Sequence, residues 1–137
     1  MELIAEGRKP MRQRASGWLS LRQFEQIVED AVLGLPDEFA QKLENIEIIV
    51  EDEPDDDTIE RMKLERGRVL LGLYHGVPRT RRHEGAPPIY PDRITIYRLS
   101  ILAVCRTPAQ VRRQIRDTVI HEIGHHFGLS DDDMHDD

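Results

Sequence analysis

His121, Glu122 and His125, followed by Gly128 and Asp131, stand in the pattern HExxHxxGxxD within the segment HEIGHHFGLSD. On a helix turning about 100° per residue, His121 and His125 are about 40° apart around the axis and about 6 Å apart along it, so one ion can reach both imidazoles. Glu122 falls beside the pair, where its carboxylate can hold a water without being a ligand. In a continuing helix Asp131 would point away from that spot. Gly128 is the residue best able to end the helix, because it accepts the left-handed conformation and lets the chain turn back under the metal. Two nitrogens, one oxygen and a fourth position open to water describe a catalytic site for one divalent ion, zinc by ligand type. Asp132 and His135 compete with Asp131 as third ligand, and His126 points away from the shared face. The plain alternative makes His121 and His125 ordinary polar residues of a solvated helix, which requires two His, a Glu and a helix-breaking Gly to coincide.

Chemistry of this kind hydrolyses peptide bonds, with Glu122 as the base that takes a proton from water and hands it to the leaving amine. Three further residues are candidates for supporting roles. Asp117, one turn before His121, can orient its ring or be an exposed helical charge. Tyr90 and Tyr97 can donate to a developing oxyanion or pack in the core.

The helix that carries the motif begins with Thr107 as cap and Pro108 in the first turn, and its apolar side is Val111, Ile115, Val119, Ile120 and Ile123. It is expected to run to about Phe127. An earlier helix is capped by Ser20 and carries Leu21, Phe24, Ile27, Val28, Ala31 and Val32 at helical spacing up to Gly34. A short one opens at Pro36 with Asp37 and Glu38, placed where the helix dipole favours acids, and ends near Leu43. Strands are expected at 45–51 (NIEIIVE), 69–74 (VLLGLY) and 93–99 (RITIYRL), the last with Ile94, Ile96 and Arg98 alternating. The acidic run EDEPDDD reads as a solvated loop. It lacks the Gly and closing Glu of a calcium loop. Residues 75–91 read as a long loop rich in Gly, Pro and Arg, a length that often marks function. Residues 1–19, holding Gly7, Pro10 and Gly17, read as a flexible basic arm, and 20–137 as a single domain.

At 137 residues the chain has the size of one domain, with 39% hydrophobic and 33% charged residues. No run approaches the roughly 20 apolar residues of a membrane span, and no signal peptide is evident, so a cytoplasmic protein is expected. One cysteine, Cys105, excludes an internal disulfide and a Cys-rich zinc finger. A net charge of −7 argues against nucleic acid as a partner, although Arg8, Lys9, Arg12 and Arg14, and again Arg106, Arg112, Arg113 and Arg116, make local basic runs.

Beyond the motif, LGLYHGVP at 71–78, PDRITIYR at 91–98, TVIHEIGHHFGLSDDDM at 118–134 and LPDEF at 35–39 make the chain resemble the small bacterial zincin-like metallopeptidases over roughly residues 20–137. The resemblance implies an α+β fold, a small mixed sheet packed on helices that include the metal-bearing one. It implies zinc on His121, His125 and Asp131, Glu122 as catalytic base, and a peptide or protein substrate. It also implies that an edge strand aligns the substrate by main-chain pairing, with 93–99 the candidate. Asp131 stands where the metzincins have His, and no second helix supplies the distant Glu of larger gluzincins, so a partner or a second copy is expected to complete the cleft. Two other readings remain. One is a metal-stabilised binding or regulatory module without turnover. The other is a metal-dependent endoribonuclease of the HxxxHxxGxxH type, disfavoured by Glu122 and by the acidic tail.

Overall fold

Five apolar residues along one stripe turn the last helix into the beam on which the rest of the fold rests. The structure is a computed structural model and describes residues 2–6, 17–65, 67–76 and 92–126, with backbone alone at 2–6, 125 and 126. Helix α5 (Pro108–His126) lies against the sheet and buries Val111, Ile115, Val119, Ile120 and Ile123. The Thr107 hydroxyl accepts the Gln110 N–H at 3.1 Å, the expected cap. Helix α1 (Leu21–Leu33) opens with a reciprocal capping box between Ser20 and Gln23 and buries Phe24, Val28 and Ala31 in the core it shares with α5. Helix α2 (Asp37–Lys42) adds Phe39 to the same core.

Among the described residues the strands are β1 (Glu2–Glu6), β2 (Ile46–Glu51), β3 (Arg68–His75) and β4 (Asp92–Tyr97), in the spatial order β1-β3-β4-β2. The β1–β3 and β3–β4 pairs are antiparallel and β2–β4 is parallel. This is the expected α+β fold with a mixed sheet. Ile94 and Ile96 face the α5 core, while Leu70, Leu73 and Tyr97 form a second cluster with Met62 and Leu64.

Four expectations are corrected. Residues 2–6, read as part of an arm, form β1. The acidic run is not only loop, because Asp55 caps a helix α3 (Asp56–Met62) by accepting the Thr58 N–H at 2.7 Å. The strand expected at 93–99 stops at Tyr97, and Arg98 opens α4 (Arg98–Val104). Asp52 explains that stop: its carboxylate accepts from Arg98 Nε at 2.8 Å and its carbonyl from the Leu99 N–H at 3.0 Å. The buried guanidinium also reaches the Leu19 carbonyl at 2.6 Å, tying the chain before α1 to α4. Finally, β4 lies between β3 and β2, so 93–99 has no free edge on which to align a peptide. Among the described residues, no helix is long and apolar enough to cross a membrane.

Candidate metal and catalytic site

Helix α5 meets strand β3 at two points one helical turn apart. The β1–β3 register passes from Leu3–Gly72 to Ile4–Leu70, leaving Leu71 as an extra residue. A bulge of this kind puts two successive residues on one face. Accordingly, Val69 and Leu71 join the α5 core, Leu70 and Leu73 the opposite cluster, and Tyr74 the α5 core again. Gly72 thus shares the α5 face with Leu71, and the helix comes very close to it. A Cβ there would lie 2.5 Å from Thr118 Cγ2 and 3.3 Å from the Thr95 carbonyl. Thr118 is itself buried, with its hydroxyl donating to the Gln114 carbonyl at 2.7 Å.

One turn beyond Thr118, Glu122 Oε1 accepts the Tyr74 N–H at 3.0 Å. Glu122 is wholly buried, at 0% exposure. Withdrawing a carboxylate from water costs several kcal/mol unless donors and positive charge meet it. The strand N–H is one such donor, and a nearby cation would be another compensation. The Tyr74 hydroxyl donates to buried Asp92 Oδ2 at 2.7 Å, fastening the end of β3 to the start of β4.

His121 precedes Glu122 on α5 and is half-buried. The helix runs unbroken through His126, so the backbones of His121 and His125 are one turn apart on one side, as the spacing requires. The His125 side chain, together with Gly128, Asp131, Asp132 and His135, lies outside the described residues, as does Tyr90. Among the described residues, no three His, Cys, Asp or Glu side chains gather to hold a metal. Of the expected ligands, the His121 imidazole alone is described, and it directly precedes the buried Glu122 carboxylate on the helix. Tyr97 is buried in the cluster away from the α5 core, where it packs and cannot serve an oxyanion at α5; burial, with Glu51 next in effect, pushes its phenol up to about 12. Asp117 is exposed, as a solvated helical charge would be.

Gly72, Tyr74, Thr118 and Asp92 were not singled out from sequence. An isolated glycine inside the apolar run VLLGLY signals a bulge or a close backbone approach and would have found Gly72. The Tyr74–Asp92 bond joins residues 18 apart and leaves no local pattern.

His75, at the end of β3, has its pKa lowered by burial first and by Arg93 and Arg61 next. The fold therefore favours neutral His75. Below the unfolded value of 6.5, the unfolded chain takes up a proton that the folded chain resists, so stability falls as pH drops from above 6.5 through the folded pKa. Urea midpoints at about pH 7.5 and about pH 5 are expected to show this loss, and His75→Gln to make it smaller. Equal losses in the two proteins would remove His75 as a contributor.

A family model described as zincin-like metallopeptidase matches residues 43–137, which include β2, α3, β3, β4, α4 and α5. No curated protein matches the chain. Among solved structures, the chain is similar to a conserved hypothetical protein from "Thermo thermophilus", with 22% identity and a TM-score of 0.48 over 80% of this chain and 94% of that one.

Proposed function

Because the chain belongs to the zincin-like metallopeptidase family, we propose that it hydrolyses peptide bonds with one zinc ion held by His121, His125 and Asp131 and with Glu122 as general base. The observation that carries this reading is the placement of Glu122, wholly buried, anchored on the β3 backbone through Tyr74 and adjacent in sequence to half-buried His121. When bound, zinc supplies Lewis acidity, lowering the pKa of water towards about 7 and polarising the substrate carbonyl. The protein's own part is orientation and proton transfer. With Oε1 held by the Tyr74 N–H, the Glu122 carboxylate keeps one orientation as it takes the proton of the attacking water and passes it to the leaving amine. The Tyr74–Asp92 bond holds the strand end that holds Glu122.

The complete burial of Glu122 favours one second reading, a metal-stabilised binding module without turnover. Zinc titration and cleavage of a quenched peptide library separate the two. At zinc a hundredfold above Kd the fold is expected to gain about 2.7 kcal/mol, seen as a higher Tm, and His121→Ala is expected to abolish the gain. Cleavage that appears with zinc and stops with chelator supports the peptidase. A full thermal gain with no library member cleaved supports the module, and the absence of any gain removes zinc from both.

A further inference from the structure

Among the described residues the outer strands of the sheet are β1 and β2, and they stand in different relations to Glu122. Strand β2 is separated from β3 by β4 and carries exposed Glu47 and Glu51, charges of the kind that discourage pairing at an edge. The outer edge of β3 is covered by β1, which also touches α5, the helix of His121 and Glu122. The described register of β1 begins at the Glu2–Leu73 pair. The next residue of β3 is Tyr74, whose N–H is held by Glu122. An extended backbone lying on this edge therefore leads directly to the anchor of the carboxylate.

Exposed edges bind extended peptides by adding a strand, with main-chain hydrogen bonds giving affinity. Among the described residues of the segment matched by the family model, residues 43–137, β3 has β4 on one side and no other strand on the other. Strand β1 lies outside the match and fills that side. It is five residues long, pairs among the described residues with β3 alone, and its ladder is interrupted by the bulge at Leu71. Each ladder bond contributes only about 0.5–1.5 kcal/mol net, so releasing an outer strand of five residues costs less than unfolding the whole domain and can occur as a local opening.

We propose that β1 is an autoinhibitory strand, an intramolecular stand-in for an extended peptide, which must leave the β3 edge before a peptide can lie beside Glu122. The regulatory claim rests on the peptidase reading above; the occupancy claim does not need it. Release of β1 would clear the approach along β3 to a carboxylate that is now buried.

The test uses the full chain and two variants. In Ile4→Pro/Ala5→Pro, consecutive prolines remove at least one N–H directed at β3, because successive N–H groups alternate between partner and outside. In Glu6→Cys/Arg68→Cys, the paired ends of the two strands can be locked by oxidation and released by reduction. The probe is a fluorescent pentapeptide of the β1 sequence ELIAE, added without zinc, with amide exchange read at 69–73. Hydrolysis of a quenched peptide library is read separately with zinc. The proline variant is expected to bind the pentapeptide and to cleave the library about tenfold or more better than wild type, the factor being set by the fraction of wild-type molecules already open. The oxidised cysteine variant is expected to do neither, and reduction to restore wild-type values. Should the proline variant fail to fold, the oxidised and reduced states of the cysteine variant give the same comparison. Equal pentapeptide binding by closed and opened forms overturns the proposal. Binding confined to the opened form with no cleavage in any form leaves the occupancy standing and removes the peptidase reading; equal cleavage by opened and locked forms keeps the peptidase reading and overturns the autoinhibition.

Discussion

Glu122→Gln is expected to lower kcat/KM for peptide hydrolysis by about 10²–10⁴-fold, the range a positioned general base contributes, while leaving the fold and the zinc affinity nearly unchanged. The asymmetry follows from the two tasks of this side chain. As an acceptor it satisfies the Tyr74 N–H at 3.0 Å, and an amide oxygen does that as well as a carboxylate oxygen. As a base it must take a proton, which an amide cannot do. Glu122→Ala removes both functions and takes the acceptor from a buried strand N–H, with an expected loss of about 1–3 kcal/mol of stability. Urea unfolding and steady-state kinetics on the two variants separate the roles. A Gln variant with full activity would refute the assignment of Glu122 as base, and one as unstable as the Ala variant would show that charge, rather than the hydrogen bond, holds the side chain.

Gly72→Ala is expected to destabilise the protein by about 1–3 kcal/mol, the usual cost of overpacking a closed core. The new methyl would meet Thr118 Cγ2 at 2.5 Å, and Thr118 cannot turn aside without disturbing the bond from its hydroxyl to the Gln114 carbonyl. The strain has a definite outlet: α5 can move away from β3, which lengthens the contact between Glu122 and Tyr74 one turn along. Activity should therefore fall together with stability. Removing the opposing methyl tests the cause. Thr118→Ser keeps the hydroxyl and deletes Cγ2, so Gly72→Ala/Thr118→Ser should be more stable than Gly72→Ala alone, a coupling visible in a double-mutant cycle. Independent, additive costs at the two positions would mean that the close approach at Gly72 does not set the distance of the helix from the strand.

Helix α5 was legible from residues alone because every relation that defines it is local. The Thr107 cap, the first-turn Pro108 and the stripe from Val111 to Ile123 lie within one continuous segment, and helical pitch converts their spacing into direction. The same pitch places the backbones of His121 and His125 on one side without reference to the rest of the chain. Helix α1 was legible for the same reason. Helices α3 and α4 were not, since each is 7 residues long, too short for a periodic stripe to stand out. The Asp55 cap is hidden by its neighbours, since Asp56 and Asp57 carry the same side chain and nothing local distinguishes the residue that accepts the Thr58 N–H.

Strand relations were of another kind. That β4 is internal, that β1 exists and covers β3, and that a bulge at Leu71 turns Gly72 towards Thr118 all depend on pairings between residues far apart in sequence. Alternation within a strand tells which residues share a face but not which strand lies beside it. Residue types and helical spacing were enough to nominate His121, Glu122 and His125 as chemistry-bearing. Only the folded sheet determined that Glu122 is buried against the Tyr74 N–H and that β1 lies on the edge leading to it, because backbone partners in a sheet are chosen by three-dimensional packing, whereas those in a helix are always about four residues away.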